Sequence, residues 1–447
     1  MATTITPNIV TVNTTVLYAP QPSTLQRSGA IISLGGTTLA TNDYQYCGSP
    51  AALAAITGTA GNATELTRIN NTFFGQGNSV GLYVLELGTE TTAGEDIPLL
   101  QTWITENNSP QPFYGFLTPA AWDGVEGVSY ISIGFGGSGY TTAPSVTIAA
   151  PTSGTTATAT AVIQNGSVTQ IIINNPGSGY TAAPTVTIAA PTSGQTATAT
   201  ATLGSALAGI ANNYASPSSK VYFAVTTTAS NLSQYAGIKS ILALVPSPTA
   251  ASTEFQAAAM FYQMLNINPS ASTPGAGITF KWLYGVTPWA NNSTNNASVN
   301  AILTANGNLV WTGAEGGIIT ASLFRGKTMD GQQFAFWYSV NWFQIQAKQA
   351  QAAAILNGAN SNPPLEYNQP GINTLLAVAE QVAANSITFG LNLQVSVSAI
   401  PFYTYVQQNP GDYDIGNYDG FSASITPQLG FETITFNLEA LQFVTGG

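Results

Sequence analysis

The most constraining feature of the sequence is an internal repeat with an offset of 40 residues. Residues 137–161 read GSGYTTAPSVTIAAPTSGTTATATA and residues 177–201 read GSGYTAAPTVTIAAPTSGQTATATA, so 22 of 25 positions are identical. Each copy alternates β-branched and small residues between Gly and Pro, which is typical of short strands joined by turns. Two copies are fewer than the roughly three units that a stacked solenoid needs. We therefore predict one small all-β insert at residues 128–204, with leading strands at 128–133 and 168–173.

The insert lies in a stretch of 93 residues, 127–219, that has no charged side chain. Charged residues make up 6% of the chain, with 8 Lys or Arg, 19 Asp or Glu and no His, against about 25% in ordinary soluble proteins. Without His, neither Ser/His/Asp nor Cys/His catalysis can operate, and one cysteine, Cys47, cannot build a zinc site or an intramolecular disulfide. The net charge of −11 argues against a nucleic-acid partner. We expect no enzyme and no cofactor.

Low charge does not indicate a membrane protein in this case. The longest apolar runs, such as residues 241–245 and 352–356, are far shorter than the roughly 20 residues of a bilayer-spanning helix, and we expect no signal peptide at the N-terminus. Neutral polar residues and 44 Gly replace the charges, so copies of the chain repel each other little. The composition therefore favours a self-assembling structural protein.

The segments around the insert read as one interrupted α/β domain. Strands are predicted at residues 80–87, 113–117 and 221–225, with helices at 95–107 and 206–214 between them, which implies a parallel βαβ arrangement. Capping-box spacing at residues 253–256 and 330–333 predicts helices at 257–265 and 332–356. In the second of these we expect one apolar face of Phe336, Val340, Phe343 and Ala347. Pro370 opens a further helix to Ala384, and the last 60 or so residues read as β.

Both termini have the alternation of a β-strand. One parity of the uncharged segment 1–26 carries Val10, Val12, Val16 and Tyr18, and the C-terminal series is Ile434, Phe436 and Leu438, then, after a phase slip near Ala440, Leu441 and Phe443. One interpretation is that both are ordinary edge strands of the subunit's own sheet. The other is that one or both leave the subunit and complete a neighbour's sheet by strand addition. Edges are normally protected by charge, and the N-terminal segment has none.

Several motifs resemble catalytic or ligand-binding signatures and lack the required context. The glycines at residues 134–139 fit GxGxxG, but a strand or turn follows where a dinucleotide site needs a helix. Residues 326–328 match the end of a phosphate-binding loop, but Ala321 stands where that motif requires its first glycine. Ser79 fits GxSxG, but it precedes a strand, whereas the motif requires a strand before the serine and a helix after it. The acidic cluster of Asp412, Asp414 and Asp419 fits a solvated loop better than a structural cation site. Tyr140 and Tyr180 are either packing residues, the favoured reading, or a surface for stacking sugars.

Outside the insert, hydrophobic patterns with a few Gly, Pro and Trp occur at residues 23–32, 49–53, 62–65, 71–76, 81–87, 280–288, 341–346 and 370–376. In these stretches the chain resembles the tail sheath subunits of contractile-tailed phages. The resemblance implies a mixed α/β and α+β chain, with a sheath-type α/β core, extended terminal β arms and the small all-β insert domain. The insert is not part of the family's shared pattern, and charged surface residues are sparser here.

The resemblance also implies a domain plan and a set of partners. The plan has an N-terminal arm at 1–22, a core divided into 23–127 and 205–425, the insert at 128–204 and a C-terminal β arm at 426–447. Subunits would form stacked hexameric rings around a tail tube protein, in contact with baseplate and tail terminator proteins, without membrane insertion. They would be assembled in the host cytoplasm and located in the virion tail.

Two other readings stay open from the sequence alone. The first is a virion decoration or receptor-binding protein that contacts glycans through the GSGYT repeats, including Tyr140 and Tyr180. The second is a polysaccharide-degrading enzyme, which would need an essential pair of acids such as those at Asp412, Asp414 and Asp419.

Overall fold

The computed structural model describes residues 25–59, 61–88, 93–268, 277–312 and 319–433. The α-helices in these ranges are α1 Pro50–Ile56, α2 Ala63–Phe74, α3 Ala93–Glu106, α4 Ala206–Asn212, α5 Gln256–Leu265, α6 Ser293–Thr304, α7 Phe334–Ala359, α8 Gln369–Thr388, α9 Phe402–Gln408 and α10 Pro410–Asp414. The strands are β1 Gly29–Ser33, β2 Tyr44–Cys47, β3 Leu82–Glu86, β4 Gly115–Leu117, β5 Glu126–Phe135, β6 Val146–Ile148, β7 Thr158–Gln164, β8 Ser167–Asn175, β9 Val186–Ile188, β10 Thr198–Ser205, β11 Tyr222–Thr226, β12 Ile241–Leu244, β13 Leu309–Trp311, β14 Ser322–Phe324, β15 Asn392–Ala399 and β16 Phe421–Pro427. The predicted mixture of helices and strands is confirmed.

A six-stranded sheet forms the centre of the molecule, in the order β12-β11-β4-β1-β3-β2. Its strands are parallel except β2, which runs antiparallel to β3 at one edge. Helices connect the parallel strands, as the predicted βαβ pattern requires.

The two faces of this sheet are buried in different hydrophobic clusters. On β1, Ile31 belongs to one cluster while its neighbours Ala30 and Ile32 belong to the other, because successive strand side chains point to opposite faces. Helices α2, α5 and α7 cover the first face, and α3 and α4 cover the second. A sheet that is covered on both faces explains why its strands are almost continuously apolar.

Six strands, β5–β10, lie between β4 and α4 and contain the sequence repeat. They pair antiparallel as β5 with β10, β7 with β8, and β6 with β9. Each pair joins a strand of the first copy to a strand of the second, so the two copies are interleaved. Their apolar side chains form a third hydrophobic cluster of their own. We call β5–β10 the repeat module.

The repeat module is attached to the sheet domain through α4 and the residue that follows it. Asn213 accepts a hydrogen bond from the Ile173 amide at 3.0 Å and donates to the Ile173 carbonyl at 2.8 Å, and Asn212 donates to the Ser129 carbonyl at 2.9 Å. Both leading strands, β5 and β8, are therefore held by adjacent residues of the core.

The prediction that the last 60 or so residues are β is only partly correct. Helices α9 and α10 separate β15 from β16. Each of these helices starts at a proline: Pro401 precedes α9, and Pro410 is the first residue of α10. The fixed φ of proline suits a helix start. Tyrosine has a high β-propensity, so the tyrosines in these helices favoured the prediction of a strand.

Both predicted capping boxes are wrong, although helices start nearby. Gln256 is drawn into a loop contact, where its side-chain oxygen accepts from the Ser247 amide at 3.0 Å, and α5 begins after Phe255 without a side-chain cap. Asp330 instead accepts from Thr328 Oγ1 at 2.6 Å and from the indole of Trp337 at 2.8 Å, so α7 also starts uncapped.

The predicted buried face of α7 is also rotated from the observed one. Of the predicted residues Phe343 is buried, but Phe336, Val340 and Ala347 are only half-buried. Phe334, Tyr338 and Trp342 are buried instead. The reason is a buried polar residue on the observed face. The Asn341 side-chain oxygen accepts hydrogen bonds from the hydroxyls of Tyr114 and Tyr222, at 3.0 and 2.8 Å. Because asparagine is polar, the sequence pattern assigns this face of the helix to solvent.

Candidate assembly site

The predicted arm residues fall outside the part of the chain that the structure describes. These are Val10, Val12, Val16 and Tyr18 near the N-terminus, and Ile434, Phe436, Leu438, Leu441 and Phe443 near the C-terminus. The structure does describe the two points at which these terminal segments join the core, residues 25–28 and 428–433. We call them the N-terminal root and the C-terminal root.

The N-terminal root is fixed by side-chain hydrogen bonds to distant backbone. Gln26 is buried, and its amide donates to the Tyr338 carbonyl in α7 at 3.1 Å. Arg27 donates to the Ser79 carbonyl at 2.9 Å. Because each bond joins segments far apart in sequence, the chain enters β1 from a defined position.

The C-terminal root is fixed in a similar way after β16 ends. The Gln428 amide donates to the Leu391 carbonyl at 2.9 Å. The Gln333 side chain then donates to the Gly430 carbonyl and accepts from the Gly430 amide, both at 2.9 Å. The same side chain donates to a carboxylate oxygen of Glu432 at 3.1 Å.

Both roots are therefore attached to the first turns of one helix. Gln333, the residue that precedes α7, holds the C-terminal root, and Tyr338 holds the N-terminal root. Five residues of helix correspond to about 7.5 Å along its axis. The two terminal segments thus leave the core from neighbouring positions.

A second feature of this region is a two-stranded ribbon of β15 and β16. Its inner face carries Val395, Val397 and Ile425, which pack against the core cluster that includes α7 and α8. Its outer face is polar and exposed. Among the described residues neither strand has a second strand partner, and neither strand contains a charged residue. The ribbon thus has two open edges without the charges that usually block strand addition.

The hydrogen-bonding direction of β16 can be worked out from its two ends. The Ile400 amide donates to the Gly420 carbonyl and the Gln428 amide donates to the Leu391 carbonyl, so even-numbered residues of β16 face β15. In an antiparallel pair the alternate residues direct their N–H and C=O groups away from the partner. The free edge of β16 is therefore formed by Phe421, Ala423 and Ile425.

A mainly apolar groove of about 240 Å³ lies between the ribbon and helices α7 and α8. Its walls include Val397 of β15, Phe421 and Ala423 of β16, and Phe343, Ala347 and the charged Lys348 of α7. An added strand would place alternate side chains towards such a groove and bond its backbone to the open edge.

The tyrosines of the repeats have matching structural contacts. The Tyr140 hydroxyl donates to the Ala189 carbonyl at 3.1 Å and accepts from the Ala197 amide at 2.9 Å. In the other copy, Tyr180 donates to the Ala149 carbonyl at 3.1 Å and accepts from the Ala157 amide at 2.8 Å. Each tyrosine thus crosses to the other copy, as a packing role requires, and Tyr140 is only 5% exposed.

A carboxylate at the carboxyl end of β3 is bound by the protein itself. Ligands of parallel α/β sheets lie at the carboxyl ends of the strands, and here Glu86 ends β3. Its carboxylate accepts hydrogen bonds from Ser33 Oγ at 3.0 Å, the Gly35 amide at 2.8 Å, Thr37 Oγ1 at 2.6 Å and the Gly88 amide at 2.9 Å. Burial acts to raise the pKa of Glu86, but these donors outweigh it and hold the pKa below its ordinary value.

The other motif residues also make internal contacts. No helix follows the glycines at 134–139. Ser79 bonds to Tyr262 and Asn266 immediately before β3. Thr328 binds Asp330. The first two motifs lack the helix that must follow the loop, and the third has Ala321 where its chemistry needs a glycine.

The acidic cluster lies on and just after α10. Asp412 accepts from the Tyr405 hydroxyl and from Asn417, and no residue of α10 is buried. In the described ranges no three His, Cys, Asp or Glu side chains form a group that could hold a metal ion. In the same ranges no helix is both long and apolar enough to cross a membrane.

Comparison with solved structures identifies the fold. A chain of the six-fold symmetrised cryo-EM structure of the anti-feeding prophage baseplate superposes with a TM-score of 0.53 at 9% identity, covering 98% of this chain and 100% of that one. The sheath tail protein Lin1278 from Listeria innocua gives a TM-score of 0.37 at 12% identity, with coverage of 91% and 96%. The sheath tail protein DSY3957 from Desulfitobacterium hafniense gives 0.36 at 10%, with coverage of 87% and 93%.

No protein-family model and no curated protein sequence matches the chain. Of the three structures above, the baseplate chain is the one whose TM-score exceeds 0.5, and it aligns over essentially its whole length. The predicted resemblance to contractile-tail proteins is thereby confirmed as a likeness of fold.

Proposed function

We propose that the protein is the structural subunit of a contractile phage tail sheath. Subunits assemble as hexameric rings that stack helically around a tail tube, and the assembled sheath contracts to drive that tube through the host envelope. In the virion, baseplate proteins contact one end of this assembly and tail terminator proteins contact the other.

The observation that carries the proposal is the open, uncharged β15–β16 ribbon beside the two chain roots. A two-stranded ribbon is marginal by itself, and an uncharged open edge is a template for another strand. The whole-length likeness to a chain of a six-fold symmetrised baseplate supports the same conclusion.

In this proposal the terminal arms add strands to the ribbons of neighbouring subunits. The N-terminal arm uses Val10, Val12, Val16 and Tyr18, and the C-terminal arm uses Ile434, Phe436, Leu438, Leu441 and Phe443. Contacts of this kind join different surfaces of identical subunits, so they produce an open helical polymer when the rotation does not close.

The proposed function requires no enzymatic step. Work is done by the change from one subunit arrangement to another, as in other rigid-body transitions.

The test uses the purified full chain, observed by negative-stain microscopy and sedimentation. We expect tubes, and we expect a chain that ends at residue 433 to stay monomeric because it lacks the arm but keeps the C-terminal root. A synthetic peptide of residues 434–447 should inhibit tube formation by filling the ribbon edge, whereas a peptide of the same composition in scrambled order should not. Tubes formed by the shortened chain would refute the role of the C-terminal arm.

A further inference from the structure

Two of the eight cationic side chains in the protein meet a single carboxylate at the C-terminal root. Lys327 Nζ lies 3.1 Å and Arg325 Nη1 lies 3.5 Å from Glu432 Oε2. All three side chains are largely shielded from solvent, with 15%, 27% and 24% exposure. In a chain with 6% charged residues, this concentration marks a position where charge has a specific task.

The backbone of Lys327 is bound to the edge of the central sheet through Asn308. Asn308 is fully buried; its side chain accepts from the Lys327 amide and donates to the Lys327 carbonyl, both at 2.8 Å. The backbone of Asn308 bonds in turn to Ala243 and Val245, at the end of β12. A continuous series of bonds therefore connects the central sheet to Glu432.

We call the contact of Glu432 with Arg325 and Lys327 the clamp, and the side chains next to it alternate in direction. Gly430 and Glu432 face Gln333 and the cations, while Leu429 and Phe431 point outward, and Phe431 is 79% exposed. This alternation is that of an extended chain whose one side is bound.

We propose that Glu432, with Arg325 and Lys327, is a positioning residue for assembly: this clamp sets the place and direction in which the C-terminal arm leaves the core. The inference rests on the proposed function, because only a chain that donates its arm needs the arm aimed. A fixed departure point reduces the conformational entropy lost when the arm pairs with a neighbour. It also transmits tension in the arm directly to the central sheet.

The first experiment measures the critical concentration for tube formation by sedimentation. Glu432→Gln should raise it about fivefold, the effect of losing a partly shielded ion pair, while Glu380→Gln, which removes an equal charge from the exposed side of α8, should leave it unchanged. Lys327→Glu and Glu432→Lys should each impair assembly. The double variant restores one ion pair, between positions 327 and 432, and should recover part of the lost assembly.

The second experiment measures hydrogen exchange in the monomer at concentrations below assembly. Glu432→Gln should accelerate exchange of the Gly430 amide several-fold and leave β15 and β16 unchanged. Equal exchange in variant and wild type would overturn the clamp, as would a double variant no better than the single ones.

The two measurements separate the inference from the proposed function. If the wild-type chain forms no tubes, the proposed function fails, while the exchange rates still decide whether the clamp exists. In a chain that ends at residue 433, Glu432→Gln should have no effect on association. An effect there would show that the residue acts in another way, and would also overturn the inference.

Discussion

The repeat module and the β15–β16 ribbon are both small β-structures almost without charge, yet they differ in how the hydrogen bonds of their strand edges are satisfied. The module places three strand pairs around a hydrophobic cluster of its own, and further backbone hydrogen bonds, such as Val128 to Pro176 and Val168 to Gly136, connect one pair to the next. The ribbon has one strand pair, no cluster of its own and a free edge on each side within the described residues.

The difference shows that the absence of charge has two separate consequences in one chain. Where strands are interleaved, neutral polar surfaces are compatible with a closed unit. Where a strand edge stays open, the same lack of charge favours association. We therefore expect tube assembly to require the open edge of the ribbon and to be independent of the module.

The largest expected effect comes from a substitution that removes a hydrogen-bond donor from the free edge of β16. Ala423→Pro removes an N–H group that points away from β15, so it blocks strand addition at the centre of this edge while the β15–β16 ladder stays intact. We expect tube formation to be lost, with at least a roughly tenfold rise in critical concentration, the equivalent of about 1.4 kcal/mol.

Ala423→Val is the matched control, because it keeps the N–H group and raises β-propensity. It should assemble like the wild type. Normal tubes from Ala423→Pro would contradict the assignment of this edge as the acceptor.

The next effect is confined to the module. Tyr140→Phe leaves the Ala197 amide and the Ala189 carbonyl without a buried partner, which should destabilise the module by about 1–3 kcal/mol. Tyr180→Phe removes the matching bonds in the more exposed copy and should cost less. Thermal unfolding and hydrogen exchange would measure both, and tube formation should be unchanged. Equal losses in the two variants would contradict the asymmetry of burial.

A third effect separates the two regions by pH. Burial acts to raise the pKa of Glu86 and Glu254, but their hydrogen-bond donors hold both pKa values below the ordinary 4.5. Each contribution to stability is therefore present above pH 4.5 and is lost as the pH falls through the lower pKa of the folded state. The core, and the ribbon packed on it, should lose exchange protection in acid before the module, which has no carboxylate in residues 127–204. Loss of protection at one common pH would contradict independent stability of the module.

The smallest effect is expected from removing the module altogether. Glu126 and Ser205 are paired in register at its base, so two glycines can replace residues 128–204 without moving the flanking segments. Tube formation should change less than about twofold, within the scatter of a surface change remote from the interface. Loss of tubes from a folded, shortened chain would show that the module itself forms a subunit contact.

Three of the six strands of the central sheet, with the helices between them, could be predicted from local patterns because they satisfy local rules. Residues 80–87, 113–117 and 221–225 have the apolar runs of buried parallel strands, and the structure places β3, β4 and β11 there. The buried face of α7 could not be predicted, because Asn341 is polar and its two tyrosine partners lie 119 and 227 residues away.

The candidate site was less accessible from the sequence than the fold. The alternation of Val395 and Val397 with serines is a strand signal, but pairing with Ile425 and the absence of a further strand partner within the described residues are tertiary facts. The contact of Glu432 with Arg325 spans 107 residues, and no local pattern selects one partner for a carboxylate at that distance. Charge scarcity was the one available signal, because it left few possible cations.

The interleaving of the two repeat copies has a consequence for the gene. A deletion of one 40-residue unit would keep the reading frame, because the two copies are offset by 40 residues. The shortened chain could keep the pairing of β5 with β10, but it would retain only one strand of the β6–β9 pair, lose the β7–β8 pair, and lose about half of the third hydrophobic cluster. Each copy is thus the other's folding partner, and selection on the folded module preserves the duplication as a unit.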